Sequence, residues 1–283
     1  MSAGNEVLGN QIGQQFEGEI METTRRHAIL GGLAALAAAH PAAGCSASED
    51  ARATSAGVTR LDVVGTIHSR HRTSADYSLA VLAAAIRKAD PDVILTEIPP
   101  DRIERALSSF AETGEIDEPR TRVFPEYTDV IFPLSREMGF RILGTAGWTR
   151  EIADNRRAAL DLIRNNPARA DQWAEHQAAR RVYSRSVGRR GDDPHFIHSD
   201  AFDRLVEEAY GPYQRNFDAD LGPGGWTQIN RAHTGLIGAA LDTMSGQGLR
   251  AMVTFGTAHK YLIRRSIEGR DDVALLDTRR LFE

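Results

Sequence analysis

The chain has 283 residues, of which 41% are hydrophobic and 26% are charged, with 39 acidic residues, 34 basic residues and a net charge of −5. This apolar fraction is that of a globular protein and excludes a largely disordered chain. The acidic balance argues against a nucleic-acid partner, because such proteins usually carry a basic excess. Cys45 is the single cysteine, which excludes an intramolecular disulfide and a thiolate metal cluster.

Lysine is nearly absent from the chain. Only Lys88 and Lys260 are lysines, so the other 32 basic residues are arginines. A compositional bias is the simplest interpretation of this excess. Recognition of phosphate or carboxylate groups is the alternative, since the guanidinium fork binds both.

Residues 21–45 have the layout of an export signal. The pair Arg25-Arg26 precedes an apolar run at 28–39 that is too short to span a bilayer. The pair resembles twin-arginine signals, which export folded proteins. Ala42-Ala43-Gly44-Cys45 resembles a bacterial lipoprotein box, which implies a lipid on Cys45 and a membrane anchor at the periplasmic or envelope side. An ordinary signal cut within the Ala-rich stretch is the alternative.

This layout predicts three segments. Residues 1–44 form the export signal, with Met21 as an alternative start. Residues 45–57 are rich in Ser, Ala and Thr without periodicity and are predicted to be a flexible tether. Residues 58–283 are predicted to form a single domain.

Five short apolar runs within this domain have the composition of buried strands. They lie at Arg60–Ile67, Asp92–Ile98, Phe140–Gly144, Ala251–Gly256 and Val273–Leu276. The stretches between them have helical character and lie at Ala75–Ala89, Arg102–Ala111, Thr149–Asn165, Ala168–Val187, Ala201–Tyr210, Ile229–Met244 and His259–Ile267. This alternation predicts an α/β fold with a mainly parallel central sheet flanked by helices. The region of about 147–246 has no strand pattern and is predicted to be a helical insertion over one end of the sheet.

Two of the predicted strands end in the same motif. Gly65-Thr66-Ile67-His68 and Gly256-Thr257-Ala258-His259 each follow an apolar run directly, and a third strand ends in Gly144-Thr145-Ala146-Gly147. We expect each glycine to let the chain turn sharply off its strand. The histidines should then lie at the carboxyl edge of the sheet, where open α/β sheets bind ligands.

Glu97 occupies the matching place at the end of the second strand. A carboxylate is costly to bury there unless it is paired or bound to a metal. If strands one, two and four are neighbours, His68, Glu97 and His259 converge. Two imidazoles, a carboxylate and an open position form a first shell suited to a hydrolytic divalent metal.

These motifs resemble the TraB/GumN and Tiki family and, more distantly, erythromycin esterase-like and haem-binding ChaN-like proteins. The resemblance implies an α/β sheet with helical insertions and, as in Tiki members, metal-dependent peptidase activity with manganese- or cobalt-like ions. Other members are assigned to signalling-peptide shutdown or haem binding. Arg102, five residues after Glu97, resembles the arginine that follows the glutamate in TraB members, and Arg231 resembles an arginine on a later helix that faces the site.

The leading hypothesis is an exported, lipid-anchored hydrolase that cleaves a peptide, ester or amide bond in a peptide or small-molecule substrate. His68, Glu97 and His259 would hold manganese, cobalt or zinc, with Glu97 either a ligand or the base, while Arg102 and Arg231 would stabilise an anionic intermediate or a substrate carboxylate. The alternative is a non-catalytic protein that binds haem or a peptide in the same crevice. A relative with a decayed site is the third possibility.

Each singled-out residue also has a purely structural interpretation. His68 and His259 would then cap turns, and Glu97 would form an ion pair with Arg102 or Arg231. Further candidates are His71 as an extra ligand or proton shuttle rather than a solvated loop residue, His195 and His198 as a metal pair rather than loop residues, and Gly222–Trp226 as a lid rather than a connector. A serine nucleophile has little support, because the chain has no Gly-x-Ser-x-Gly motif.

Overall fold

Five parallel strands form the centre of the computed structural model, which describes residues 57–283. The strands are β1 (Thr59–Thr66), β2 (Val93–Thr96), β3 (Arg141–Gly144), β4 (Arg250–Gly256) and β5 (Val273–Leu275). Their order across the sheet is β3-β2-β4-β1-β5. Every pairing is parallel. The predicted α/β class with a mainly parallel, helix-flanked sheet is therefore confirmed.

Nine α-helices accompany the sheet within the described residues. They are α1 (Leu79–Ala89), α2 (Pro100–Thr113), α3 (Phe132–Met138), α4 (Arg150–Arg164), α5 (Ala170–Val187), α6 (Pro194–Ile197), α7 (Asp200–Leu221), α8 (Trp226–Asp242) and α9 (Lys260–Ile267). A π-helical segment at Glu126–Ile131 leads directly into α3.

The strands are mainly apolar because helices cover both faces of the sheet. On one face, a core of buried side chains from β1, β2 and β4 packs against α8 and α9, with Val253, Phe255, Ile237 and Ile263 at its centre. The run of the central strand β4 from Ala251 to Gly256 is buried at every position. This continuous burial explains why the strands were recognisable as short apolar runs.

The predicted helical insertion lies between β3 and β4. In this part of the described chain, α4 to α8 follow one another without an intervening strand. Helix α8 reaches the carboxyl edge of the sheet, where His233 Nδ1 accepts a hydrogen bond of 2.8 Å from the Gly147 N–H. The insertion therefore covers the end of the sheet at which the two histidine motifs lie.

Two helical regions differ from the prediction. Residues 126–138 form the π-helical segment and helix α3, which were not predicted. The apolar side chains of this stretch fit between the other helices and the sheet. The helix predicted at Ala201–Tyr210 is longer than expected, although proline usually breaks a helix. It continues to Leu221 with Pro212 inside it, since the buried side chains of Tyr213 and Phe217 pack below the break.

The predicted export signal at 1–44, Cys45 and the tether as far as residue 56 lie outside the described residues. Within residues 57–283, no helix combines the length and apolar character that crossing a membrane requires.

His176 is buried in an aromatic cluster between α5 and α7. Its ring lies 5.2–6.0 Å from the rings of Trp173, Tyr213 and Phe217. Its Nδ1 is buried without a hydrogen-bond partner. This environment favours an uncharged side chain.

We expect His176→Phe to flatten the pH dependence of stability. Burial, followed by the positive charges of Arg180 and Arg156, lowers the pKa of His176 to about 4. The unfolded chain takes up this proton near its ordinary pKa of about 6.5, so between these values the unfolded state binds more protons and stability falls as the pH falls. By about pH 4 the native protein should have lost roughly 2–3 kcal/mol that His176→Phe retains. Urea unfolding of both proteins at neutral and acidic pH measures this difference, and parallel pH profiles would contradict it.

Candidate functional site

The two histidine motifs and Glu97 meet because β4 lies between β1 and β2. One oxygen of the Glu97 carboxylate, Oε2, accepts a hydrogen bond of 2.8 Å from the Gly256 N–H. The other oxygen, Oε1, lies 3.8 Å from His259 Nε2. Glu97 and His259 are both buried, at 7% and 8% exposure, so this carboxylate and imidazole form a largely desolvated pair.

Gly256 provides the room in which His68 joins this pair. A Cβ atom built on Gly256 would lie 2.7 Å from His68 Nε2 and 3.4 Å from Glu97 Oε2. The expectation that the motif glycines turn the chain is wrong, because Gly65 lies within β1 and Gly144 and Gly256 end their strands without a positive φ. The role of Gly256 is close approach: only a residue without a side chain leaves space for the imidazole above β4.

His68 itself has the positive φ, at 49°. Non-glycine residues rarely adopt this conformation, and such strain persists only where surrounding contacts impose it. The contact here is a hydrogen bond of 2.6 Å in which His68 Nδ1 donates to Glu126 Oε1. This bond fixes the ring so that Nε2 is directed toward Gly256 and Glu97.

Glu126 is completely buried beside His68. Burial raises the pKa of this carboxyl, but the charge of His68 and the hydrogen bond from it, with a smaller contribution from His71, hold the pKa below its usual value. Its second oxygen, Oε2, has no hydrogen-bond partner. Glu126 is therefore a buried carboxylate whose main polar partner is the His68 ring.

The π-helical segment positions two parts of the site with consecutive residues. Glu126 holds His68, and the next hydroxyl, that of Tyr127, accepts a hydrogen bond of 2.9 Å from the Glu97 N–H. Segments of π-helix are rare and are frequent at functional sites. The segment thus links the ends of β1 and β2.

His259 is oriented from the helical insertion. Its Nδ1 donates to Asn230 Oδ1 at 2.7 Å, and the Asn230 amide nitrogen donates in turn to the Trp226 carbonyl. The Trp226 ring stacks on the His259 ring at 5.0 Å and 24°. The bond to Asn230 uses Nδ1 and leaves His259 Nε2 on the side of Glu97.

His233 is a third buried histidine at this edge. Its ring is perpendicular to that of His259 at 5.0 Å, and its Nε2 has no hydrogen-bond partner. Burial, then the charges of His259 and Arg120, lowers the pKa of His233 well below its usual value. His233 therefore stays neutral and packs against His259, and its bond from Gly147 connects the third motif to the site.

Arg102 lies outside the group of three converging side chains. It forms a bond of 2.8 Å with Glu118, whose other oxygen accepts hydrogen bonds from the N–H and hydroxyl of Thr121. Arg102 thus pairs with Glu118 rather than with Glu97, and it braces the loop that carries Arg120. The charge of Arg120 reaches His233, so this arginine, which the sequence did not single out, lies nearer the site.

Arg231 is exposed on α8 and faces another opening. It lines a cavity of about 640 Å³ together with Ile152, Asp218, Pro223 and Gln228. The segment Gly222–Gly224 also borders this cavity as a short 3₁₀ turn. The structure therefore places Arg231 beside the helical insertion, on the same helix as Asn230 and His233 but away from Glu97.

The remaining candidate histidines are occupied by backbone contacts. His71 is buried rather than solvated: its Nε2 accepts from the Ile67 N–H and its Nδ1 donates to the Tyr77 carbonyl. His198 accepts from the Gly65 N–H and donates to the Pro194 carbonyl. The interpretation of His195 and His198 as a metal pair is therefore wrong, because neither nitrogen of His198 is available.

The donor set of the site suits a divalent metal, although no three or more His, Cys, Asp or Glu side chains within residues 57–283 are arranged to hold an ion as they stand. Ligating histidines usually donate their second N–H to a carboxylate or carbonyl, as His68 does to Glu126 and His259 to Asn230. Two ligands of one ion with bonds of about 2.0–2.2 Å lie roughly 3–4 Å apart, and the 3.8 Å between His259 and Glu97 fits this spacing.

Comparison of the chain with protein-family models, with curated proteins and with solved structures gives no match.

Sequence reasoning missed the residues that orient the three central side chains. These are Glu126, Tyr127, Trp226, Asn230 and His233. One signal was present: Glu126 is one of two acidic residues, with Asp129, in the mainly apolar stretch from Val123 to Phe132. Such a residue is costly to bury without a partner and therefore indicates one.

Proposed function

We propose that this protein is a metal-dependent hydrolase of peptide, ester or amide bonds whose centre is formed by His68, Glu97 and His259. One observation carries the proposal. Both imidazoles donate Nδ1–H to a polar side chain outside the centre, which leaves His259 Nε2 3.8 Å from the Glu97 carboxylate and His68 Nε2 beside Gly256 at the carboxyl edge of the sheet. The resemblance of the Gly-x-x-His and Glu motifs to the TraB/GumN and Tiki family supports the same reaction class.

The neighbours of the three side chains define what each can do. Glu126 withdraws no proton from the centre but accepts the Nδ1–H of His68, which makes Nε2 more basic. Asn230 holds the proton of His259 on Nδ1, which leaves Nε2 as an acceptor or ligand. Glu97 has one oxygen, Oε2, fixed by the Gly256 N–H, and the other, Oε1, lies toward His259, where it would bind a cation or accept a proton from water.

A divalent metal held by His68, Glu97 and His259 would supply Lewis-acid activation of a water molecule or of a substrate carbonyl. Around it, the stacked Trp226 ring and the perpendicular His233 ring exclude water from the far side of His259. Low local polarity strengthens every charge interaction within such a centre.

A hydrolysis assay tests the proposal. Chromogenic esters and short chromogenic peptides are incubated with the full chain in the presence of added manganese, cobalt or zinc. We expect turnover that depends on the metal and that Glu97→Gln and His259→Ala abolish. Equal rates for the native protein and both variants would contradict the proposal, and a haem absorption band that disappears in His68→Ala would favour the haem-binding alternative.

We expect Glu126→Gln to weaken metal affinity and turnover by about 10- to 100-fold, because a neutral amide orients the imidazole less strongly than a carboxylate does. Glu126 is a positioning residue, so the fold should persist. Metal titration and turnover measure the effect. Glu137→Gln is the matched control, since Glu137 forms an exposed ion pair with Arg87 on the protein surface. A Glu126→Gln protein that binds metal as tightly as this control would contradict the assignment.

We also propose that the protein is exported and carries a lipid on Cys45, as the signal-like segment 21–45 predicts. Mass spectrometry of the protein from membranes tests this directly. The expected species begins at Cys45 with an attached lipid, and a chain that retains residues 21–44 would contradict the proposal.

A further inference from the structure

The outward face of α5 carries a row of arginines. The helix buries His176, Tyr183 and Val187 on one side. Arg181, Arg185 and Arg189 follow one another at four-residue spacing, and all three are exposed. At about 100° per residue Arg181 and Arg185 lie opposite Tyr183 and Val187, on the solvent side of α5. Arg189 follows in the 3₁₀ turn Gly188–Arg190, directly after the helix ends. We call these three residues the arginine stripe.

The arginine stripe differs from the many arginines of the surface that form ion pairs. Neighbouring carboxylates neutralise twelve other guanidinium groups, at Arg72, Arg87, Arg105, Arg157, Arg164, Arg169, Arg215, Arg250, Arg265, Arg270, Arg279 and Arg280. These pairs account for much of the arginine excess as ordinary surface chemistry. Within the described part of the chain, none of the three arginines of the stripe has a carboxylate partner.

The sequence around the stripe concentrates the positive charge further. From Gln177 to Gly191 there are five arginines and no acidic residue. Arg190, next to the stripe, lies over the Phe196 ring at 3.8 Å instead of pairing with an acid. The next acidic residues along the chain, Asp192 and Asp193, come only after Gly191, and Asp193 caps α6. This face is positively charged, although the protein as a whole has a net charge of −5.

Apolar side chains lie within the same face. Val182 is 49% exposed directly beside Arg181, and Ala178 is exposed one turn earlier. Clustered exposed arginines suit a surface of lipid headgroups, because guanidinium groups bind phosphates in pairs of hydrogen bonds, and an exposed valine beside them enters the interface shallowly.

We propose that the arginine stripe binds the surface of an anionic phospholipid membrane. The charge of the stripe complements such a surface, and the exposed Val182 favours lipid over a purely ionic partner such as nucleic acid, which the overall acidic composition also disfavours. This property goes beyond hydrolysis and does not depend on the metal centre.

Vesicle sedimentation tests the proposal. The full chain is mixed with vesicles of phosphatidylcholine containing about 30% phosphatidylglycerol, and with vesicles of phosphatidylcholine alone, at low and at high salt. The test variant is Arg181→Gln/Arg185→Gln/Arg189→Gln. The control variant, Arg105→Gln/Arg265→Gln/Arg279→Gln, removes the same three charges from exposed arginines that are ion-paired.

We expect the native protein and the control variant to bind the anionic vesicles, with binding that weakens as salt is added. The test variant should bind them on the order of 10- to 100-fold more weakly, with unchanged binding to phosphatidylcholine. Equal loss in both variants would show a general effect of net charge and overturn the proposal. Binding of heparin or DNA by the native protein without binding of anionic vesicles would overturn it in favour of another polyanion.

Discussion

Replacement of Asp203 by alanine is expected to lower the free energy of unfolding by about 3–5 kcal/mol, the largest loss of stability that a single change should cause here. Lys260 Nζ lies 2.5 Å from Asp203 Oδ1, and Lys260 is only 1% exposed. Burial lowers the pKa of Lys260 even with Asp203 beside it. Without Asp203, a buried cation would lose its partner, and the lysine would have to lose its proton or leave the core.

A second variant separates this charge effect from general disruption. Asp203→Ala/Lys260→Met replaces the pair with apolar side chains, and we expect it to recover most of the lost stability. Urea unfolding of the three proteins measures the difference. A single Asp203→Ala variant within about 1 kcal/mol of the native protein, as for an exposed pair, would contradict the account.

Gly256→Ala is expected to inactivate the site although it removes no functional group. The new Cβ would lie 2.7 Å from His68 Nε2, a distance at which one of the two atoms must move. The His68 ring cannot move freely, because its Nδ1 is bound to Glu126 at 2.6 Å. We therefore expect metal affinity to fall on the order of 100-fold or more, with a comparable loss of turnover. Isothermal titration with zinc or manganese measures the affinity.

Gly238→Ala is the control for this substitution. Gly238 lies inside α8 and a Cβ there meets no atom within 4 Å. We expect it to leave metal binding unchanged and to stabilise the helix by about 0.5–1 kcal/mol. If Gly256→Ala bound metal as tightly as Gly238→Ala, the space above β4 would not be the site.

The sheet could be predicted because its strands are buried on both faces. Short apolar runs such as Val93–Thr96 and Arg250–Gly256 stand out in any parallel sheet. The order of the strands could not be predicted, because the pairing of β1 with β4 joins residues about 190 positions apart and no local pattern encodes it. The continuation of α7 past Pro212 was missed for a related reason, since tertiary packing overrides the local helix-breaking pair.

The site was predictable only in its centre. His68, Glu97 and His259 were found because each ends a strand, and parallel strands end at one edge of a sheet. Glu126 and Asn230 could not be found by spacing, because they come from a π-helical segment and from the insertion, 58 and 29 residues away from the histidines that they hold. The large number of arginines also misled the prediction of the site. Arg102 and Arg231 were singled out by position among 32 arginines, but they lie beside other groups.

The role of the motif glycines shows how a correct pattern can have a different physical cause. The repeated Gly-Thr motif does mark the ends of β1 and β4, as predicted. The glycines do not turn the chain, since the positive φ falls on His68 instead. At Gly256 the motif places a residue without a side chain where an imidazole and a carboxylate meet.

The metal content of the purified protein tests the central claim most directly. The full chain is purified without chelator beside His68→Ala and His259→Ala, incubated with manganese, cobalt or zinc, freed of excess ion and analysed by mass spectrometry of the elements. The account predicts about one equivalent of one of these metals in the native protein and a loss of most of it in both variants. Equally low metal in all three proteins, with no gain on addition of any of the three ions, would contradict it.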